Sequence, residues 1–244
     1  ARYEYEAGTN NALKEDSTAI VFLEASPGLA VNLDDYNLRI GVGYRLTYTS
    51  LKRVKGNVDS ENKAIDFEMK GLNFASFRAG LQWAPLDNLE LGVAYRSRMT
   101  ALIESEQAQA IVPYDDASTE MVLPSKLGAG ATLILDALRL SVDAESCFNS
   151  ENVASVIKGT NPSSGEPESV DNIFKWKDSL TLRGGVEYSL LEGQLPLRTG
   201  FIYDAQTSVP EYPTGFGTPP GPTYTGTLGA GWVASWGTLG FALA

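Results

Sequence analysis

Apolar and polar residues alternate with a period of two along most of this chain. From residue 38 to residue 48, every even-numbered position is apolar or aromatic, whereas the odd-numbered positions hold arginine, glycine or threonine. The same period recurs over 77–83, 89–96, 138–145, 180–188 and 197–204. Side chains of a β-strand point alternately to its two faces, so these segments predict strands with one apolar and one polar face. None of the apolar faces carries a charge.

The alternation predicts ten long strands, with tight turns and long polar loops following one another between them. The tight turns are expected near 34–37, 85–88, 136–137, 191–194 and 235–237, and the long loops near 55–65, 106–117, 150–171 and 208–223. The expected strands are 17–33, 37–54, 66–84, 88–105, 118–135, 138–150, 172–190, 195–208, 223–234 and 238–244, with residues 1–7 as the end of an eleventh.

Two irregularities are expected within these strands. The parity of the apolar positions changes between Phe74 and Phe77, which predicts a β-bulge. Pro27–Gly28 interrupts the first strand, because proline has no N–H to donate to a neighbouring strand. We expect a plain bulge or a kink at that point.

Two all-β architectures fit this pattern. A soluble sandwich buries the apolar faces of its strands, whereas a membrane barrel turns them outward to lipid. Three features favour the barrel: the length of the strands, the alternation of tight turns with long loops, and tryptophan or tyrosine near the strand ends. No run of 18 apolar residues is present, so a transmembrane helix is not expected.

Composition narrows the range of functions. The net charge of −11 argues against nucleic-acid binding, since phosphate recognition needs a basic surface. The chain has no histidine and a single cysteine, Cys147, so the usual general base and an internal disulfide are both excluded. No nucleophile–base pair is apparent. We therefore expect neither an enzyme nor a site for a metal or cofactor.

Four stretches carry a resemblance to a known family. They are residues 17–33 followed by GVGYRLTYTSLKRVKG at 41–56, FRAGLQWAPLDNLELGVAYRS at 77–97, Leu123–Pro124 followed by LRLSVDAE at 138–145, and FKWKDSLTLRGGVEYSL at 174–190 leading into LRTGFIYDAQTSVPE at 197–211. In their order and spacing they resemble the FadL family of long-chain fatty acid and hydrocarbon transporters of the Gram-negative outer membrane.

The resemblance implies a transmembrane antiparallel up-and-down β-barrel. Residues 1–244 would form a single barrel domain, with 10 or 11 strands of a roughly 14-stranded barrel. We expect this domain to be incomplete at both ends and to lack the family's N-terminal hatch. The chain departs from the family at its end, GTLGFALA, which has no final aromatic residue, and in the loop GFGTPPGPTYTG, which lacks a Pro-Asp-x-x-Arg pattern.

The implied function is passive uptake of a hydrophobic molecule across the bacterial outer membrane. The ligand would be a fatty acid, a hydrocarbon or a detergent, and the protein would also contact outer-membrane lipid and lipopolysaccharide. An alternative is that the barrel serves as an anchor or partner subunit in an outer-membrane assembly, in which case it would bind other proteins.

The resemblance also suggests individual residues. Arg53 lies where the family places a headgroup-binding basic residue, and Lys175, or else Lys177, lies near the position of a second; each is alternatively a solvated charge at a strand end. A kink at Pro27–Gly28 would provide a lateral exit. We expect charged residues of the polar faces to line the lumen, either as a structural ion-pair network or as determinants of selectivity: Arg45, Arg78, Arg96, Arg183, Arg198, Asp143, Glu145, Glu187 and Asp204.

Overall fold

One antiparallel sheet of sixteen strands accounts for nearly all of the structure. The structure is a computed structural model, and it describes residues 2–7, 12–57, 63–110, 112–212 and 221–244. Short 3-10 turns occupy Asp34–Tyr36, Asn149–Glu151 and Leu191–Gly193. The strands are β1 (Arg2–Ala7), β2 (Ala12–Ala25), β3 (Gly28–Leu33), β4 (Leu38–Asn57), β5 (Ile65–Leu86), β6 (Leu89–Arg96), β7 (Met99–Ala110), β8 (Val112–Leu123), β9 (Lys126–Leu135), β10 (Leu138–Cys147), β11 (Ala154–Thr160), β12 (Pro167–Ile173), β13 (Ser179–Leu190), β14 (Leu195–Asp204), β15 (Thr223–Ala234) and β16 (Gly237–Leu243).

The sheet follows chain order, as an up-and-down barrel wall requires. β2 and β3 both pair with β4, which pairs with β5. β5 pairs with β7 near its start and with β6 near its end, so β6 and β7 are two halves of one long strand. β8 and β9 form the next long strand in the same way, and β10, β13, β14, β15 and β16 complete the wall. All five expected tight turns are confirmed, and so are the expected strands except 172–190, because residues 174–178 are a connection between β12 and β13.

Two of the expected long loops are wrong, because they form β-hairpins. β7 and β8 pair throughout their length, and β11 pairs with both β8 and β12. The segments 106–117 and 150–171 are therefore mostly strand, and they extend the wall on the side of the long loops. Their polar composition reflects outward side chains that meet water. Of the other two loops, residues 58–62 and 213–220 lie outside the described residues.

The apolar faces of the strands point away from the interior of the wall. Ile40, Val93 and Val142 are 42%, 46% and 62% exposed, and Leu29 reaches 80%. A water-soluble protein rarely exposes such a continuous apolar surface, whereas lipid is a suitable solvent for it. No helix among the described residues is long and apolar enough to cross a bilayer.

Charged side chains mark the limit of this apolar surface on the long-loop side. Lys52 on β4 and Glu68 and Lys70 on β5 are exposed on the outward face, just beyond Tyr48 and Leu72. We call the wall below them the lipid band, and the strands above them the outer part. In bacterial membrane barrels the long loops lie on the extracellular side, which predicts that the outer part would face the cell exterior in such a barrel.

The backbones of β5 and β7 approach each other closely in the outer part. The register between these strands shifts between Asp66 and Lys70. A Cβ atom at Gly71 would overlap the carbonyl oxygen of Leu102 and lie 3.1 Å from the Cα of Ile103. Only glycine lets the two backbones approach this closely.

Replacing Gly71 by alanine should therefore push β7 away from β5. We expect Gly71→Ala to destabilise the full-length protein by about 2 kcal/mol or more, as overpacking of a tight contact does. Gly80→Ala is the matched control on the same strand and face, because its nearest contact would be the Val93 carbonyl oxygen at 3.6 Å. Urea unfolding in lipid vesicles, followed by tryptophan fluorescence, measures both; equal stability of the two variants would contradict this account.

Candidate ligand-binding site

A dry apolar cluster fills the interior of the outer part. It combines inward side chains of β4, β5, β7 and β8, and Met69, Met99 and Ile103 have no exposed surface. Tyr114 is 2% exposed, and its burial, together with the Glu168 carboxylate, raises the pKa of its phenol above the usual range. The interior of the outer part is therefore apolar. The full cluster is Leu51, Phe67, Met69, Met99, Ala101, Ile103, Ala108, Ala110, Tyr114, Ala117 and Met121.

A cavity of about 320 Å³ adjoins this cluster, and we call it the outer chamber. β2 and β12 both contribute to its wall although β4, β5, β7, β8 and β11 separate them in the sheet. The sheet must therefore curl round to enclose it. Its apolar lining consists of Leu51, Ile65, Phe67, Ala110, Ile157 and Val170, and its polar lining of Thr18, Arg53, Ser155, Asp171 and Asn172.

Arg53 is the one cation among the described residues that line the outer chamber. Its Nη1 donates hydrogen bonds to an Asp16 carboxylate oxygen, to the Thr18 hydroxyl at 2.6 Å and to the Ser17 carbonyl oxygen at 3.4 Å. The register explains these contacts, because Thr18 lies directly opposite Arg53 on β4 and Asp16 is its diagonal neighbour. The guanidinium group is thus held in a fixed position at the wall.

Lys175 and Lys177 lie outside the lining of the outer chamber, in the connection between β12 and β13. Lys175 donates to the Tyr212 hydroxyl at 2.8 Å, and its ammonium group lies 4.5 Å from the centre of the Tyr212 ring. Lys177 is exposed. Of the three basic residues singled out from the sequence, the structure brings only Arg53 to the chamber.

Below the outer chamber, irregularities in neighbouring strands form a line across the wall, which we call the seam. Strands break at Ser26–Pro27, Ser97–Arg98 and Pro124–Ser125, and the expected β5 bulge lies opposite the segment from Arg45 to Thr47. The register places them side by side. Gly43 pairs with Gly28 and Arg78, Arg78 with Arg96, and Arg96 with Lys126.

Side chains replace part of the backbone pairing along the seam. The side-chain amide of Asn73 donates to the Thr100 carbonyl oxygen at 2.7 Å, and the backbone N–H of Phe77 donates to the Ser97 hydroxyl at 2.8 Å. Further along, the backbone N–H and the side-chain hydroxyl of Ser125 donate to the two Glu151 carboxylate oxygens, at 2.8 and 2.6 Å respectively. Unpaired backbone groups are costly in lipid, so these bonds make the irregular strands tolerable there.

An ion cluster lies on the polar face at the seam. Arg45 has no exposed surface and donates to one Glu24 carboxylate oxygen, from Nε at 2.9 Å and from Nη2 at 2.7 Å. Its Nη1 donates to the Ser97 carbonyl oxygen at 2.9 Å, and Arg96 donates to the same Glu24 oxygen at 2.9 Å. One carboxylate thus joins two arginines and a broken strand end.

The remaining charged residues of the polar face form smaller groups. Arg183 donates to Asp143 at 2.7 Å and lies 3.7 Å from Glu145, which also accepts from Lys126 at 2.9 Å. Separate contacts join Arg198 to Glu187 at 2.6 Å and the Thr181 hydroxyl to Asp204 at 2.6 Å, while the Arg78 side chain lies over Gly43. These residues lie on the polar face of the wall, opposite the apolar face that meets lipid.

Sequence reasoning missed Asp16, Thr18 and Glu24, although they hold Arg53 and Arg45. All three have even numbers on β2 and face the odd-numbered inward residues of β4. Because the break at Ser26–Pro27 separates β2 from the tight turn, the turn alone does not fix this pairing. A search for acidic residues on the strand preceding each inward arginine would have found Glu24.

The family model described as "Outer membrane protein transport protein (OMPP1/FadL/TodX)" matches residues 3–238. The chain belongs to this family. Among curated proteins, no sequence matches it significantly. The protein is located in the bacterial outer membrane.

Solved structures of this family share the fold. A FadL homologue from Pseudomonas aeruginosa superposes with a TM-score of 0.70 at 18% identity, covering 94% of this chain and 59% of that protein. The toluene transporter TbuX from Ralstonia pickettii gives 0.64 at 17% identity, with coverage of 93% and 62%. The toluene transporter TodX from Pseudomonas putida gives 0.59 at 17% identity, with the same coverage. The chain therefore spans about three fifths of the length of these three structures, and its fold is that of their β-barrel wall.

The ion cluster at the seam should be essential for stability. We expect Glu24→Ala to destabilise the protein by about 3 kcal/mol, because it leaves the buried Arg45 guanidinium without its carboxylate. Glu187→Ala removes the partner of Arg198, whose side chain is 50% exposed, and should cost less than about 1 kcal/mol.

Urea unfolding of both variants in vesicles measures this difference. A loss of stability at Glu24→Ala no greater than that at Glu187→Ala would show that the ion cluster does not hold the seam together.

Proposed function

We propose that this chain forms part of an outer-membrane channel for passive uptake of hydrophobic small molecules, such as fatty acids or hydrocarbons. The observation that carries the proposal is the outer chamber, a partly enclosed and largely apolar cavity on the long-loop side of a wall whose outward face suits lipid. A volume of about 320 Å³ falls at the lower end of the range for small-molecule sites. The toluene transporters among the solved structures support the same class of ligand.

In this proposal Arg53 binds the polar end of the ligand. Its Nη1 makes all three of its recorded hydrogen bonds, so Nε and Nη2 make none to a described residue. A guanidinium held in place by other residues loses little entropy when it binds a ligand oxygen. Binding of ligand by Lys175 or Lys177 remains a prediction, and the contact of Lys175 with Tyr212 gives it no direct part in the chamber.

The seam provides a candidate exit in the same proposal. The break at Ser26–Pro27 lies within the lipid band, between Leu23 and Leu29, which are 62% and 80% exposed. A cavity on the polar face reaches Gly28 and Gly43 at this break. A hydrophobic molecule descending from the outer chamber would meet lipid there without crossing a continuous ladder of hydrogen bonds.

Removal of Arg53 tests the binding site. We expect Arg53→Ala, in the full-length protein, to weaken binding of a hydrophobic alcohol about tenfold, the value of roughly one good hydrogen bond. Lys52→Ala is the control, because Lys52 is adjacent but exposed on the outward face. Tryptophan fluorescence titration in detergent gives the affinities.

Wild-type protein that binds no hydrophobic molecule would contradict the transport proposal and favour the alternative of a structural subunit. Binding that is unchanged in Arg53→Ala would remove Arg53 from the site.

Restoring a backbone donor at the seam tests the exit. We expect Pro27→Ala to slow uptake of a hydrophobic molecule by cells that depend on this protein, since the new N–H can complete the ladder and close the break. Affinity at the outer chamber should stay unchanged. Pro196→Ala is the control, because Pro196 lies in the continuous strand β14; equal uptake by the two variants would contradict an exit at Pro27.

A further inference from the structure

Asp16 contacts Arg53 in the manner expected of a ligand carboxylate. Its carboxylate accepts a hydrogen bond from Arg53 Nη1, and its other oxygen lies 3.6 Å from the Lys55 ammonium group. The Arg53 and Asp16 side chains are 21% and 25% exposed, so water screens this pair only in part. Asp16 therefore offsets the positive charge that Arg53 would otherwise present to the outer chamber, while Lys55 lies outside the lining of that chamber.

No second cation compensates for Asp16 among the described residues that line the outer chamber. Lys55 and Lys63, the basic residues near Asp16 and Glu15, do not belong to its lining, and the Asp171 side chain is exposed and alternates with the inward Val170 on β12. A carboxylate ligand would thus meet one arginine already paired with Asp16. Like charges brought together at a partly buried site raise the free energy of the bound state.

The other polar groups of the lining are uncharged. Thr18, Ser155 and Asn172 supply two hydroxyls and an amide, and the Ser155 hydroxyl lies 2.9 Å from that of Thr119. Such groups can pair with a neutral oxygen on a ligand without an ionic partner. The volume of about 320 Å³ is roughly twice the 150 Å³ of an engineered cavity that binds benzene, so it suits one ring or a medium-length chain.

We infer that Asp16 is a specificity-determining residue that makes the outer chamber selective for uncharged amphipathic molecules, such as alcohols or phenols, over carboxylates. Arg53 then acts as a fixed hydrogen-bond donor and not as a counter-ion. This inference rests on the proposed function, because it concerns the ligand of the same chamber.

The test compares decanol with decanoate, which have the same chain length but differ in charge at neutral pH. Wild-type full-length protein in detergent should bind decanol more tightly than decanoate. Asp16→Asn should raise the affinity for decanoate about tenfold, as expected for loss of one nearby like charge at intermediate dielectric, and change that for decanol less than about twofold. Glu68→Gln removes the same charge from the exposed outward face and should change neither affinity.

The possible results separate this inference from the proposed function. Tighter binding of decanoate by wild type, or no gain in Asp16→Asn, would overturn the role of Asp16 and leave the hydrophobic channel intact. Binding of neither compound would overturn both. Should Asp16→Asn not fold, the wild-type protein alone still decides, because tighter binding of decanoate than of decanol would overturn the inference.

Discussion

The structure depends on the requirement that its strands satisfy two environments at once. Lipid on the outside accepts apolar side chains and no unpaired backbone groups, so within the lipid band the strands must present their aliphatic and aromatic residues outward and pair their backbone groups with neighbouring strands. The charged residues of the same strands then share the opposite face, where Arg45, Arg183 and Arg198 meet carboxylates. This division of the two faces explains the glycine-rich polar face, the long strands and the ion pairs together.

The same requirement explains why irregularities are concentrated at the seam. Above it, charged side chains such as Glu68 and Lys70 cover the outward face, and the interior is the apolar cluster around Met69 and Ile103. Below it, the outward face is apolar and the interior is polar. Over a short distance along the strands, the outward face therefore changes from apolar to charged and the inward face from polar to apolar. Bulges and breaks at this level allow the strands to bend inward and enclose the outer chamber, while side-chain hydrogen bonds supply what the interrupted ladders lose.

Much of this fold could be predicted from the alternation of residues alone. The turns, the strands, the bulge between Phe74 and Phe77 and the interruption at Pro27 each have a local cause that is visible in the sequence. The hairpins over 106–117 and 150–171 could not be predicted in this way, because their polar outward residues resemble those of a loop. Arg53 is singled out by a family resemblance, and its binding of ligand stays a prediction. Its pairing with Asp16 depends on the register of β2 and β4, which becomes visible only in the structure.

Lipid exposure of alternate residues tests the central claim most directly. Spin labels would be placed on single cysteines at the neighbouring positions Val142 and Asp143 of β10, in protein whose only cysteine, Cys147, is replaced by serine. In bilayers, the label at position 142 should collide with oxygen and be protected from a water-soluble nickel chelate, and the label at position 143 should show the reverse. The opposite result would be a label at position 142 that collides with the nickel chelate and a label at position 143 that is shielded from it by lipid. That result would contradict the outward orientation of the apolar faces, and with it the membrane barrel.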